Sequence, residues 1–210
     1  MSRIFRYILD SDGGMAPCPQ DGTVTLGTCK PGIRKSAAVG DWVAGFMPGS
    51  LNRGDMVWAG QVAEKHSHDD YRKRFPKRRD AIYAMQDDGI YSSHLSGYHC
   101  DPADQRRDCG SPVLIFATDR SWYFGDAPQS LPSTLMHLAA KGRGYRVNFR
   151  EDGDLKLWIA WLSEHAPGVH GKPRDELNLC PGCLLCADSE AKPRQRCGKG
   201  KAKPKRPNRC

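Results

Sequence analysis

The chain has 210 residues, with 32 Lys and Arg against 24 Asp and Glu, 39% hydrophobic residues and 27% charged ones; this is the profile of one compact domain and excludes a membrane-embedded or collagen-like chain. Apolar runs such as residues 113–117 (VLIFA) fall far short of the roughly eighteen residues that cross a bilayer, and the opening MSRIFRYILDSDGG lacks the apolar stretch of a secretory signal, so a cytoplasmic protein with no membrane partner is expected. The net charge of +8 is local: residues 190–210 hold nine Lys and Arg against one Glu, and residues 1–189 hold 23 of each sign.

Residues 3–9 (RIFRYIL) predict a strand, and Gly13, Gly14, Pro17 and Pro19 keep residues 10–20 irregular. A second strand follows over 22–29, and Pro31 opens a short helix that Gly40 stops. Residues 41–47 (DWVAGFM) and 55–64 (DMVWAGQVAE) predict a hairpin. From His66 a polar helix must break at Phe75, because Pro76 disfavours helical geometry before it. Residues 81–108 read as a long loop with one short strand near Ile90 and Tyr91. Residues 113–118 and 121–125 predict a strand pair turning at Asp119 and Arg120, and helices are expected over 134–140 and 154–165. In the last, Leu155, Trp158, Ile159 and Leu162 form a core-facing stripe with Asp154 as N-cap. The resulting fold class is α+β: a mostly antiparallel, barrel-like sheet with a few short helices and a closing helix over residues 1–173. Residues 174–189 form a Cys-rich segment, and the Pro, Gly and Lys composition of 190–210 predicts a disordered basic arm that adds affinity for phosphate backbones.

Nine cysteines without an export signal favour thiols or a metal over disulfides. Cys180, Cys183 and Cys186, with Cys197, could hold zinc, although the fourth spacing fits no strong zinc pattern. Cys29 stands beside Lys30, and a neighbouring cation favours thiolate. Lys30 and Arg34 could grip a phosphate at the start of the short helix, and Trp42 and Trp58 could flank a pocket. His94 and His99 share their loop with Asp101, Asp104 and Asp108, a set that offers acid, base or ligand functions. Six cations, Arg72, Lys73, Arg74, Lys77, Arg78 and Arg79, form a candidate nucleic-acid backbone contact. No Walker loop, dinucleotide fingerprint, HExxH or nucleophile elbow is found.

Taken in order, DSDGGMAPCP, TLGTCKPGIRKSAAVGDWVAG, VWAGQVAEK, VLIFATDRSWYFGDAP, GRGYRVNFRED and GVHGKP resemble the nucleotide modification associated domain type 2 family, over residues 4–173. The resemblance implies a role in nucleotide or DNA modification in a phage or bacterial setting. It carries the family's motif onto Asp12, Gly14, Pro17, Cys29, Lys30, Pro31, Arg34, Asp41, Trp42, Tyr123, Phe124 and Gly125. Two positions depart: Tyr145 stands where the family often has histidine, and Cys18 where it usually has asparagine. The GDWVAG strand followed by VWAGQV also resembles the hairpin of PUA-like domains, including EVE and ASCH modules. Three readings follow. The first is a domain that binds a nucleotide or DNA and recognises a modified base: Lys30 and Arg34 on phosphate, Trp42 stacked on the base, Asp12 and Asp41 on its edge, and Gly14 and Tyr123 in the same site. The second is an enzyme acting on a nucleotide or base, with Asp12 or His99 as general base and Cys29 or a bound water as nucleophile. The third is a zinc-stabilised interaction module.

Overall fold

The structure is a computed structural model that describes residues 2–49, 54–93, 98–99, 101–147 and 153–175. The Cys180, Cys183, Cys186 and Cys197 set, the basic arm and His94 lie outside the described residues.

Strand β1 (Ile4–Ile8) leads through two short strands, β2 (Cys18–Gln20) and β3 (Thr23–Leu26), into α1 (Pro31–Ser36). The hairpin β4 (Trp42–Phe46) and β5 (Asp55–His66) comes next, then α2 (His68–Arg74), β6 (Tyr83–Met85), β7 (Tyr91–Ser93) and α3 (Pro102–Cys109). The long strand β8 (Val113–Tyr123) and β9 (Gln129–Ser130) precede a 3-10 helix (Ser133–Leu138), and β10 (Tyr145–Arg146), α4 (Asp154–Leu162) and β11 (Gly168–Val169) complete the described order.

The main sheet runs β10-β1-β4-β5-β8-β3-β2, with β9 on β5 and β11 on β8. Its pairs are antiparallel except β1 with β4 and β11 with β8. The sheet is open: β10 and β2 end the order and do not pair, so the expected barrel does not close. Both faces are covered, which explains the near-continuous apolar strands. On one face Ile4, Trp42, Ala59 and Trp122 pack under Leu135, Leu138, Trp158 and Leu162 of the 3-10 helix and α4. On the other, Phe5, Tyr7, Val43, Trp58 and Tyr123 pack with Ile33 and Ala37 at α1. Trp42 and Trp58 therefore belong to opposite faces and flank no common pocket.

Several local expectations change, among them the irregular stretch 10–20, whose end forms β2, and the helix over 134–140, which is a 3-10 helix over Ser133–Leu138. Residues 113–125 make one strand through Tyr123, because Gly60 pairs with Ser121 while Val62 already pairs with Phe116; the intervening Thr118, Asp119 and Arg120 protrude as a bulge. The loop over 81–108 holds a β6–β7 hairpin and α3, capped by Asp101, whose side chain accepts the Ala103 N–H at 2.7 Å. Asp154 is the first residue of α4 and not its cap, and its carboxylate instead meets His137 Nε2 at 2.9 Å.

Candidate functional site

Cys29 sits between β3 and α1, where Cys29 and Lys30 both adopt left-handed backbone, at φ 54° and 45°. Such geometry costs a non-glycine residue of order 1–3 kcal/mol and needs surrounding structure to hold it. Asp108 holds it from one side, its Oδ1 accepting the Cys29 N–H at 2.9 Å. Arg34 holds it from the other, donating Nε to the Cys29 carbonyl at 2.7 Å.

Asp108 lies near the end of α3 and is fully buried. Its Oδ2 accepts from the Tyr83 hydroxyl at 2.9 Å and meets His99 Nδ1 at 2.6 Å. The opposite ring nitrogen, His99 Nε2, stands 3.6 Å from Cys29 Sγ. Thiol, imidazole and carboxylate thus form one hydrogen-bonded line, the arrangement of nucleophile, base and orienting acid used in covalent catalysis. Burial opposes the ionised form of Asp108. The His99 hydrogen bond, the charges of His99 and Arg34, and the Tyr83 hydroxyl overcome it and hold the carboxyl below its usual range. Tyr98 stacks on His99 at 4.2 Å with the two rings parallel, and its hydroxyl lies 3.1 Å from Thr28 Oγ1 and 3.7 Å from Cys29 Sγ. The group is enclosed: Cys29 is 4% exposed and the His99 side chain 8%.

A second pole surrounds Asp12. Its Oδ2 accepts the Tyr123 hydroxyl at 2.8 Å, and its backbone is clasped by Asp175, with Asp12 N–H to Asp175 Oδ2 and Asp175 N–H to the Asp12 carbonyl both at 2.9 Å. Gly14 is needed beside it, because at φ +72° a Cβ there would come within 2.6 Å of Pro173. Burial raises the Asp12 carboxyl, opposed by the Tyr123 hydrogen bond and the Arg174 charge. Tyr7 links the two poles. Burial raises its hydroxyl, the Trp58 Nε1–H hydrogen bond at 3.0 Å opposes this, and the negative forms of Asp12 and Cys29 raise it further. Lys30 Nζ lies 4.9 Å from the Tyr7 ring centre, and Tyr145 pairs with Tyr7 in register and crowds Gly32 in α1.

The remaining expected site residues have structural roles. Arg34 has no exposed surface: Nη2 meets Asp108 Oδ1 at 3.3 Å, and its other donors reach the carbonyls of Cys29, Asp108, Ser111 and Pro112, so it offers no phosphate grip. Trp42 is 1% exposed and lies 5.1 Å from Trp158, centre to centre, so it offers no face to a base. Asp41 accepts from the Arg3 guanidinium at 2.6 Å and from the Ala38 N–H at 2.9 Å, closing the turn after α1. In the basic cluster, Arg78 turns inward to Tyr71 and the carbonyls of Cys18 and Gln20. Arg72 reaches the Ala81 carbonyl, Lys73 pairs with Asp69 and Arg74 with Glu64, which leaves Lys77 and Arg79 as its solvent-facing cations without an ion pair among the described residues. Asp108 belongs to the set of loop carboxylates read from sequence, but its spacing from His99 singles it out in no way; Tyr83, Tyr98 and Arg174 carry no sequence signal.

Among the described residues no group of three or more His, Cys, Asp or Glu is placed to hold a metal ion. A cavity of about 170 Å³ lined by Asp21, Thr23, Thr25, Phe75, Arg78 and Ile115 shares no residue with the Cys29 group.

An α+β domain with an open, mostly antiparallel sheet and a thiol–imidazole–carboxylate line at one loop–helix junction is the class defined so far. The chain belongs to the nucleotide modification associated domain 2 family, whose model matches residues 1–179. The family's name ties it to nucleotide modification. No curated protein and no solved structure matches the chain.

Proposed function

We propose that the protein is a cysteine-dependent enzyme acting on a nucleotide or base. The observation that carries this reading is the Cys29–His99–Asp108 line, with Sγ to Nε2 at 3.6 Å and Nδ1 to Oδ2 at 2.6 Å. His99 Nε2 takes the thiol proton as sulfur attacks an electrophilic carbon of the substrate, and Asp108 remains ionised beside the imidazolium. The imidazolium returns that proton to the departing group. Water, deprotonated by the same imidazole, then releases the product from sulfur and restores the thiol. Enclosure suits the chemistry, since a site shielded from bulk water strengthens each of these electrostatic contacts.

A purely base-binding role has less support, because Arg34, Asp41 and Trp42 are all engaged within the fold. The family's tie to nucleotide modification supports a nucleotide or base as the substrate class. The test is the pH profile of Cys29 carbamidomethylation by iodoacetamide, followed by peptide mass spectrometry. In the native chain half-maximal reactivity is expected at or below about pH 7.5, the range of activated thiols. In His99→Ala it should move up toward about 8.5, the value of an ordinary cysteine. Superimposable profiles in the two proteins would remove the reading.

A further inference from the structure

Two buried polar atoms beside the Asp12 pole have no hydrogen-bond partner among the described residues: Asp12 Oδ1 and Arg174 Nε. Asp12 is 1% exposed, and its other oxygen is taken by Tyr123. The Gly14 and Arg174 backbone amides and the Arg174 charge steady the Asp12 carboxylate without completing a bond to Oδ1; a buried oxygen and a guanidinium donor left so are costly, and a ligand that pairs both relieves that cost. The two residues are neighbours, because the backbone clasp between Asp12 and Asp175 sets residue 174 against the loop, and Arg174 Nη2 is anchored on the Leu9 carbonyl at 3.0 Å. Thr28, next to Cys29, donates its hydroxyl to the Met15 carbonyl at 3.3 Å, which sets the loop carrying Asp12 beside the thiol.

We infer that Asp12 and Arg174 form the recognition end of the site, Asp12 Oδ1 accepting and Arg174 Nε donating a hydrogen bond to a nucleobase edge that carries a donor beside an acceptor. Base edges hold such a pair in one rigid plane, whereas the hydroxyls of a sugar phosphate rotate freely, so the base and not the phosphate supplies the selectivity. A site built to hydrogen-bond an edge rejects a ligand lacking it, because its own buried groups would stay unpaired. The inference rests on the nucleotide-directed chemistry proposed for Cys29, but its test is separate.

Binding of the four deoxynucleoside 5′-monophosphates to the full chain is measured by calorimetry, against 2-deoxyribose 5-phosphate. At least one nucleotide should bind ten-fold or more tightly than the sugar phosphate. Asp12→Asn, which keeps an acceptor for Tyr123 and turns Oδ1 into an amide donor, should weaken that nucleotide at least ten-fold. Arg174→Lys, which keeps the charge and removes the planar donor, should do the same; as Arg174 is half-exposed, this variant carries the test if Asp12→Asn does not fold. Equal binding of nucleotide and sugar phosphate, absence of nucleotide binding, or unchanged affinity in a folded variant would each overturn the inference. In all three cases the alkylation profile of Cys29 still reports independently on the thiol chemistry.

Discussion

Asp108 accepts four hydrogen bonds at once, from the Cys29 amide, Arg34, Tyr83 and His99, and it is the sole ion-pair partner of Arg34 among the described residues. One carboxylate therefore orients the base, fixes the strained backbone of the nucleophile and neutralises a buried guanidinium. Removing one member of such a pair leaves an uncompensated interior charge, which costs about 3–5 kcal/mol. Arg34→Met is accordingly expected to lower unfolding free energy by about that much, measured by urea denaturation. Lys30→Met is the contrasting case. Its ammonium lies 4.9 Å from the Tyr7 ring centre at a half-exposed position, so a loss of about 1 kcal/mol or less is expected in the same assay. If both substitutions proved equally mild, the role given to Arg34 would be mistaken.

At the level of elements, the strands richest in continuous apolar, aromatic and β-branched residues are legible in the sequence. RIFRYIL and the DWVAGFM–DMVWAGQVAE hairpin appear as β1, β4 and β5, and Pro76 ends α2 at Phe75 as its stereochemistry requires. Helix α3 is not legible by periodicity, because it has no apolar stripe and buries only Asp108; its one local signal is the Asp101–Pro102 start. That blind spot hides the site's central acid. The nucleophile and the imidazole can be named from residue type, but their meeting depends on a hairpin and a polar helix that fold for reasons external to their own sequence. Arg34, Asp41 and Trp42 mislead for the opposite reason, since a cation, a carboxylate and an indole beside a short helix look alike whether they face solvent or interior. Element packing also sets a testable limit at Gly45, where a Cβ would fall 2.4 Å from Trp58 Nε1. Gly45→Ala should cost about 1–3 kcal/mol through overpacking and lower Tm, because the indole fills the space over the glycine and bonds to Tyr7.

For the whole molecule, acid should act before the carboxylates titrate. Burial, with the nearby Arg34 charge, lowers His68 to about 4. An unfolded histidine takes up a proton near pH 6.5. Between these two values the unfolded chain binds the proton and the folded chain does not, so stability falls as pH drops from about 6.5 to 4, by roughly 3 kcal/mol. Asp108, whose folded pKa is depressed, contributes stability above the ordinary carboxylate range that is lost on further acidification through its folded value. Thermal scans across this range should show two successive declines, and His68→Phe should abolish the first. The charge distribution makes a separate prediction. Since residues 190–210 carry the entire net charge of +8, a chain ending at Ser189 should lose most salt-sensitive affinity for DNA while keeping its Tm. An unchanged salt dependence would assign that affinity to the folded part.

The distribution of indoles over the two faces of the sheet has an optical consequence. Trp42, Trp122 and Trp158 crowd together between α4 and the sheet, with Trp42 and Trp122 stacked at 6.3 Å and Trp161 packed against the cluster, whereas Trp58 stands apart from them on the opposite face, hydrogen-bonded to Tyr7. Coupled transitions in the trio should give a circular-dichroism couplet that vanishes on denaturation, while Trp58 fluorescence responds to events around Tyr7. Loss of native packing and occupancy near Cys29 can thus be followed in one cuvette through two separate chromophores.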